Sequence, residues 1–450
     1  MSSSPATVQE PARNLPVIHE CDVCVVGGSC TGLFAAVRAA RLGARVALIE
    51  QQNCLGGVAT LSMVNVWHSL LDAEYRRPII AGLTQEVVDR LGRRNALRRV
   101  EESPSIGFIF NSEELKVELD LLAAEARVRV FLHTLFAAPY VKDGRLEGIL
   151  VENKSGRGAI RAAAFVDATG DGDLAARLGL PTRRAEHPQP STTCARFAGW
   201  ETLGGIDVGA VVRAHATEYG LPEGFVWGCS VPGSEIYMLA GTRVAGADPT
   251  DADALTAAEI EGRRQVRAIM DILKKVVPAS RLSLQALPSR IGLRESRHVV
   301  SRHCLTGEEL LSGRRFENAI ANGSYRVDIH HPDKPGITFR YLDGREDYLR
   351  PGFPSESGRW REPSQSNPTF YQIPYDCLIP GGLPNLLVAG RMIDADPVAH
   401  GALRVMVNMN QTGEAAGVAA WLALHSSVSV EGVDVHRLRH LLAEGGSIVI

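Results

Sequence analysis

The stretch from Cys21 to Glu50 constrains this chain more than any other part of it. It reads CDVCVVGGSCTGLFAAVRAARLGARVALIE. An apolar run enters a glycine cluster. Leu33, Val37 and Ala40 then recur at helical spacing, Gly43 stops the helix, and RVALIE forms a second apolar run that ends in an acid. This predicts one strand–helix–strand unit of about 30 residues, the length that a crossover between parallel strands requires.

The turn inside that unit, Val26-Gly27-Gly28-Ser29-Cys30-Thr31-Gly32, follows G-x-G-x-x-G with Ser29 where the middle glycine would stand. The first glycine makes the tight turn and the middle position lets backbone approach a pyrophosphate. The last lets the helix pack on the strand, with its N-terminal N–H groups facing the phosphates. Glu50 lies 18 residues beyond Gly32, where an acid accepts from a ribose hydroxyl. A glycine-rich turn in an unrelated α/β protein is the bland alternative; the preceding strand, following helix and placed acid favour dinucleotide binding. Two further strand ends extend the site: Phe165–Asp173 (FVDATGDGD) and Leu386–Arg391 (LLVAGR), the latter followed by Asp394 and Asp396. A nicotinamide dinucleotide needs only the first turn. A longer cofactor, with an adenine return and a ribityl chain, needs several such ends, so the expectation is FAD.

Length, charge and cysteine usage set outer limits. A chain of 450 residues suggests two or three domains. A net charge of −3 gives no electrostatic footprint for nucleic acid or an acidic membrane. Eight scattered cysteines fit a reduced interior rather than a disulfide scaffold. Cys21 and Cys24 form a C-x-x-C, but inside a strand rather than at a helix start, which predicts buried thiols. Residues 1–16 lack both a basic start and an apolar run, so they read as a disordered polar tail, neither signal peptide nor anchor. The longest apolar stretch, Ala415–Leu424, is too short to span a bilayer. A soluble, cytoplasmic protein is expected.

Along the chain, a helix is predicted over 112–126 with Ser112 as cap, then a strand at 128–135 and a hairpin over 145–151 and 159–166. Residues 186–370 are richer in aromatics, proline and polar loops, with helical patterns at 256–275 and 307–312, and 343–368 reads as a long loop. A last helix is predicted at about 410–424. The predicted domains are a FAD-binding part over 17–185, an inserted substrate or cap domain over 186–370, and the remainder of the FAD-binding domain over 371–450.

Taken together, Glu50 with Gly56-Gly57, the ATGDGD run and LLVAGR…HGALRVM…TGEAAG resemble the FAD-dependent oxidoreductases of the glutathione-reductase-like flavoprotein class. More distantly, they are similar to the flavoprotein subunits of succinate dehydrogenase and fumarate reductase. The middle of the chain matches through Arg290–Arg297 (RIGLRESR), Val327–His330 (VDIH) and Tyr371–Tyr375 (YQIPY). The resemblance implies an α/β fold: a Rossmann-like FAD-binding domain with a parallel sheet and an inserted α+β substrate or cap domain. It implies that Gly27, Gly28, Ser29, Thr31 and Gly32 surround the pyrophosphate and that Glu50 holds the adenosine ribose. Gly56 and Gly57 would let the chain pass beside the flavin; Thr169, Gly170 and Asp171 would lie along the diphosphate. Gly390 and either Asp396 or Asp394 would meet the ribityl chain, although Arg391 stands where relatives carry an acid. A helix opening near Thr412-Gly413 would aim its positive end at the reduced flavin.

For the chemistry, His330 is a candidate substrate contact or base. His400 and Arg404, four residues apart, would share a helical face at the flavin end. His68 follows an apolar segment expected to line the flavin and reads as a substrate contact, a flavin tether or a satisfied structural histidine; Cys54, in the adjoining loop, reads as a covalent flavin link, a redox thiol or a packed cysteine. Arg290, Arg294 and Arg297 are either a solvated charged face or a clamp for a carboxylate. No metal is expected, since no Cys/His set has zinc spacing. The expected reaction is hydride transfer between a small organic substrate, carboxylate-bearing if the arginines clamp it, and FAD. Oxygen, a quinone or a partner protein would reoxidise the flavin, for no second glycine-rich unit serves a nicotinamide. A flavin monooxygenase and a non-redox FAD protein are the alternatives; homo-oligomerisation is open.

Overall fold

The computed structural model describes residues 7–450. The first six residues of the expected tail lie outside that range. Residues 7–16 form no helix or strand, and Glu10 accepts from Arg157 at 2.6 Å.

A seven-stranded sheet organises the chain. Val17–Val26 lies between Val46–Ile49 and Gly156–Asp167, and Arg129–Phe131 extends the Val46–Ile49 side, all parallel. Gly156–Asp167 is long enough to serve two partners on its other edge. Its first half pairs antiparallel with Arg145–Asn153, which pairs with Leu135–Lys142; its last three residues pair parallel with Leu386–Val388. A strand from late in the chain thus completes the sheet begun at residue 17. The strands through the middle of the sheet are apolar on both faces, as parallel strands covered on both sides must be. Helices Cys30–Arg41, Ser112–Glu125 and Met406–His425 belong to the layer on one face, sharing a single apolar cluster.

Middle residues build two further four-stranded sheets. One is antiparallel, ordered Trp227–Ser230, Tyr237–Ala240, Cys194–Ala198, Ser283–Ala286. The helix Ala252–Val276 covers it, with Val266, Ile269 and Leu273 packed against Ala195, Phe197 and Leu239. The other is a four-stranded antiparallel sheet, Val327–His330, Ile337–Arg340, Arg345–Leu349 and Glu356–Arg359. The segment 343–368 is therefore not one long loop. Two strands run through it as REDYL and ESGR, held by backbone pairing while their side chains stay partly or fully exposed.

Element ends shift from the sequence reading for local reasons. The cap of the Ser112–Glu125 helix is Asn111, whose side chain accepts from Glu113 N at 3.0 Å. The last long helix opens at Met406, not near Thr412-Gly413, and Val405 before it offers no side-chain cap. Among the described residues no helix is long and apolar enough to cross a membrane.

Candidate active site

The C-terminal ends of four parallel strands meet in one row. Gly27 N donates to Ile49 O at 2.8 Å, Ala168 N to Val26 O at 2.8 Å, and Ala389 N to Asp167 O at 2.9 Å. Gly27 needs its glycine: φ is +104°, and a Cβ there would meet the Ala168 carbonyl. Gly28 needs its own for a different reason, since a Cβ would lie 2.9 Å from that of Glu50. The close approach lets Glu50 accept from Gly28 N and from Gln52 N, each at 2.8 Å. Burial pushes the Glu50 carboxyl up, against those backbone donors and the Arg290 charge. Ser29 is the N-cap of the helix Cys30–Arg41, its hydroxyl accepting from Gly32 N at 3.3 Å. The residue that breaks the glycine pattern thus caps the helix that the pattern exists to open.

From this row a cavity of about 1140 Å³ runs toward the middle of the chain. It exceeds the roughly 300–1,000 Å³ usual for a single small ligand, which leaves room for an elongated dinucleotide and a second molecule. Of the expected cofactor residues, Gly27, Gly28, Ser29, Thr31, Glu50, Gly56, Gly57, Thr169, Gly170, Asp171 and Gly390 all line it. Gly32 instead packs under the turn against the Gly27 carbonyl. The buried acid, the open backbone around Gly28 and Gly57, and the helix N-terminus at Ser29 fit the ribose and diphosphate of FAD.

Asp171 sits 2.8 Å from an Arg290 nitrogen and 2.5 Å from an Arg391 nitrogen. Burial would push its carboxyl up, but the two guanidinium groups outweigh that and hold it below its ordinary value. Arg391 faces the cavity bound to this carboxylate, and its Nε is buried without a partner.

Four residues expected at the cofactor lie elsewhere. Asp396 caps the helix Pro397–Leu403, accepting from Ala399 N at 2.8 Å and Gly307 N at 2.7 Å. Asp394 pairs with Arg183 and accepts from Ser301 N. Thr412 and Gly413 are inside the helix Met406–His425: Thr412 bridges Gly390 N and Met409 O, and Gly413 packs on the Thr31 backbone. Met406, Met409 and Asn410, one to two turns earlier, line the cavity instead.

The far end of the cavity gathers His68, Arg294, Tyr325, Arg326, His330 and Arg404. Burial holds the His68 imidazole down to about 3, with Arg326 and Arg404 adding to the effect. His68 stacks on Tyr325 with ring centres 4.1 Å apart. His330 is held well below its usual value, by burial and then by Arg294 and Arg404; its Nε2 is 3.3 Å from Asp328 Oδ1. Arg404 donates to Asp328 O at 3.1 Å and keeps a buried, unpartnered Nε. Tyr325 and Arg326 were not anticipated. They follow the same VDIH signal by position, directly before it, but neither residue type is diagnostic alone.

His400 does not join Arg404. It is fully buried in the helix Pro397–Leu403, off the cavity, whereas Arg404 is that helix's C-cap and turns toward it. The four-residue spacing fails because the helix ends between the two. Cys54 is likewise a buried thiol outside the cavity lining. The eight cysteines are all free, and burial raises the thiols of Cys21 and Cys24.

The family model described as FAD dependent oxidoreductase matches residues 22–442. A digeranylgeranylglycerophospholipid reductase from Methanospirillum hungatei is 26% identical over 226 residues, 46% of this chain and 52% of that protein. A thiamine thiazole synthase from Pyrococcus horikoshii is 24% identical over 146 residues, 32% of this chain and 52% of that protein. The chain thus spans about half the length of these curated relatives. Among solved structures, a geranylgeranyl bacteriochlorophyll reductase-like protein from Thermoplasma acidophilum covers 95% of this chain and 84% of its own, at 14% identity and a TM-score of 0.46.

Proposed function

The chain belongs to the FAD-dependent oxidoreductase family, and on that premise we propose that it moves a hydride between flavin and a small carboxylate-bearing substrate held between Arg294 and Arg404. The carrying observation is that both guanidinium groups line the cavity and lie near enough for the charge of one to act on the other. Burial, and then the Arg404 charge, bring Arg294 down to about 10. Asp328 is the acid beside them, 3.6 Å from Arg404, and it also faces Tyr325 and His330. A bound carboxylate would offset the repulsion with bidentate hydrogen bonds to arginine.

The residues then divide the work. FAD supplies two-electron chemistry when bound. Arg294 and Arg404 orient the acid group and so fix which substrate C–H faces the ring. His330, neutral at physiological pH, accepts the proton released as a substrate hydroxyl or amine becomes a carbonyl or imine; in the reverse direction it returns that proton. Val405 and Met406, at the opening of the helix Met406–His425, line the cavity, so the positive helix end would favour negative charge on a flavin held there.

We assign the finer architecture on the same grounds. Because Leu386–Val388 joins Phe165–Asp167, segments 17–185 and 371–450 form one FAD-binding domain of the glutathione-reductase-like type, with 186–370 inserted as the cap.

The test is anaerobic mixing of the flavin-loaded protein with a panel of 2-hydroxy and 2-amino acids and their methyl esters, following the flavin absorbance. Bleaching by an acid but not by its ester supports the reading. Equal bleaching by acid and ester, or none by any acid in either redox direction, refutes it.

A further inference from the structure

We propose that Glu295, His298 and His400 hold a divalent transition-metal ion, of the kind that takes two imidazoles and a carboxylate, in the wall behind the substrate end of the cavity. One ligand atom from each of the three lies within 4.8 Å of the others, and their side chains are buried. The inference does not depend on the proposed reaction.

The argument rests on where the ring protons must be. His298 Nδ1 lies 3.1 Å from the Ile393 carbonyl oxygen. A carbonyl only accepts, so Nδ1 carries the hydrogen. Nε2 is left with a lone pair, 3.6 Å from Glu295 Oε1. His400 repeats the arrangement with its nitrogens exchanged. Its Nε2 is 3.3 Å from the Arg294 carbonyl oxygen, which places the hydrogen there and leaves Nδ1 as the acceptor. That Nδ1 is buried with no hydrogen-bond partner. Glu295 is tied down from outside, its other oxygen accepting from Gln189 N at 3.1 Å.

His298 Nε2 and Glu295 Oε1 therefore face each other at 3.6 Å with no donor between them, and the unpartnered His400 Nδ1 adds a third acceptor in the same buried cluster. Such an arrangement is unfavourable unless a cation occupies the centre. A proton on His298 Nε2 would satisfy His298 and Glu295 but leave His400 Nδ1 orphaned. A metal ion serves all three. The outward N–H of each imidazole on a backbone carbonyl is also the support that metal-ligating histidines receive, fixing tautomer and ring orientation.

Two nitrogens and one oxygen suit Zn²⁺ and its first-row neighbours. Tetrahedral bonds of roughly 2.0–2.1 Å put ligand atoms about 3.4 Å apart. The His298–Glu295 separation of 3.6 Å is close to that, and since no pair of ligand atoms is more than 4.8 Å apart, an inward movement of about an ångström closes the site. Water would complete the coordination. The ion would position the substrate wall. His400 holds the Arg294 backbone, and Glu295 holds Gln189, whose side-chain oxygen accepts from His330 N at 3.1 Å and from Arg404 at 3.4 Å.

Sequence spacing hides this set, because His400 comes from a helix 102 residues beyond His298. The test uses the untagged, flavin-loaded full chain, stripped with a chelator and then titrated with Zn²⁺ or Co²⁺. Metal surviving gel filtration is measured by mass spectrometry, and the Co²⁺ visible bands report coordination. The expected result is about one equivalent per chain in the native protein, lost in His298→Gln and in Glu295→Gln at unchanged flavin content. Should either variant fail to fold, the other variant and the Co²⁺ spectrum of the native chain decide. Absence of any retained metal in the native protein overturns the proposal and leaves a proton as the occupant. Equal retention by the folded variants, or a Co²⁺ spectrum without nitrogen ligands, overturns it as well.

Discussion

Gly413→Ala separates helix packing from flavin binding in a way that can be worked through from the structure. An added Cβ at Gly413 would lie 2.0 Å from the Thr31 carbonyl oxygen, and one at Gly417 would lie 2.0 Å from that of Ala35. The two glycines are one turn apart and seat Met406–His425 directly on Cys30–Arg41. The obstructing atom is backbone, so the helices must separate by roughly an ångström or more before contact is ordinary. Overpacking of this kind costs about 1–3 kcal/mol, and a rigid obstacle favours the upper end. Alanine in a helix interior returns up to about 1 kcal/mol of intrinsic preference. The clash wins, with a net loss of about 1–2 kcal/mol for either substitution. The consequences for the cofactor differ. Thr31 lines the cavity at the phosphate turn, whereas Ala35 lies one turn deeper. Gly413→Ala should therefore weaken FAD binding about tenfold, equivalent to about 1.4 kcal/mol, and Gly417→Ala far less. Urea denaturation of the apoprotein measures the first quantity and flavin fluorescence quenching the second. A Gly413→Ala protein as stable as the native one, or equal FAD affinity loss in both variants, would refute this account of the interface.

Other expectations follow from the same contacts. Gly27→Val should abolish flavin retention, since neither the backbone angle nor the Ala168 carbonyl tolerates the side chain; a purified variant with full flavin absorbance would contradict the phosphate-turn assignment. Arg404→Ala should raise KM for an acid substrate at least tenfold while flavin content stays near native, as expected from losing a charged hydrogen bond of about 1.5–3 kcal/mol; unchanged kinetics would remove Arg404 from the site. His68 is neutral in the fold, with its pKa near 3 against 6.5 unfolded, so the unfolded chain binds more protons between those values and stability falls with falling pH. At pH 5 that loss is about 2 kcal/mol relative to neutral pH. Asp167, raised to about 6 by burial, acts in the opposite sense, so the comparison is between native protein and His68→Gln, whose unfolding curves should converge as pH falls. A constant difference from pH 7 to pH 5 would show that His68 does not titrate this way.

The parts legible in the sequence are those with local causes. The Cys21–Glu50 unit has a strict period, a turn and a terminal acid, and the row of strand ends follows from three such motifs. The missed parts have non-local causes. REDYL and ESGR are strands because neighbouring backbones pair with them, and no apolar alternation announces that. The helix Met406–His425 begins without a capping side chain, so the eye moves to the small residues at Thr412-Gly413, which mark a helix–helix contact rather than a helix start. Asp394 and Asp396 are acids at a plausible offset, but their carboxylates are taken up by an arginine and by backbone donors of a loop and a helix. Nothing in the linear order says which acid is left over for a ligand. His298 stayed invisible because its meaning depends on His400.

The strand Gly156–Asp167 carries a consequence for how the chain comes together. Its lower half finds its antiparallel neighbour within a few residues, but its upper half waits for Leu386–Val388, more than two hundred residues downstream. During synthesis the nucleotide-facing tip of the sheet therefore has a bare edge while the whole cap emerges. A growing polypeptide that has not yet reached residue 386 should be the most aggregation-prone species this protein ever presents.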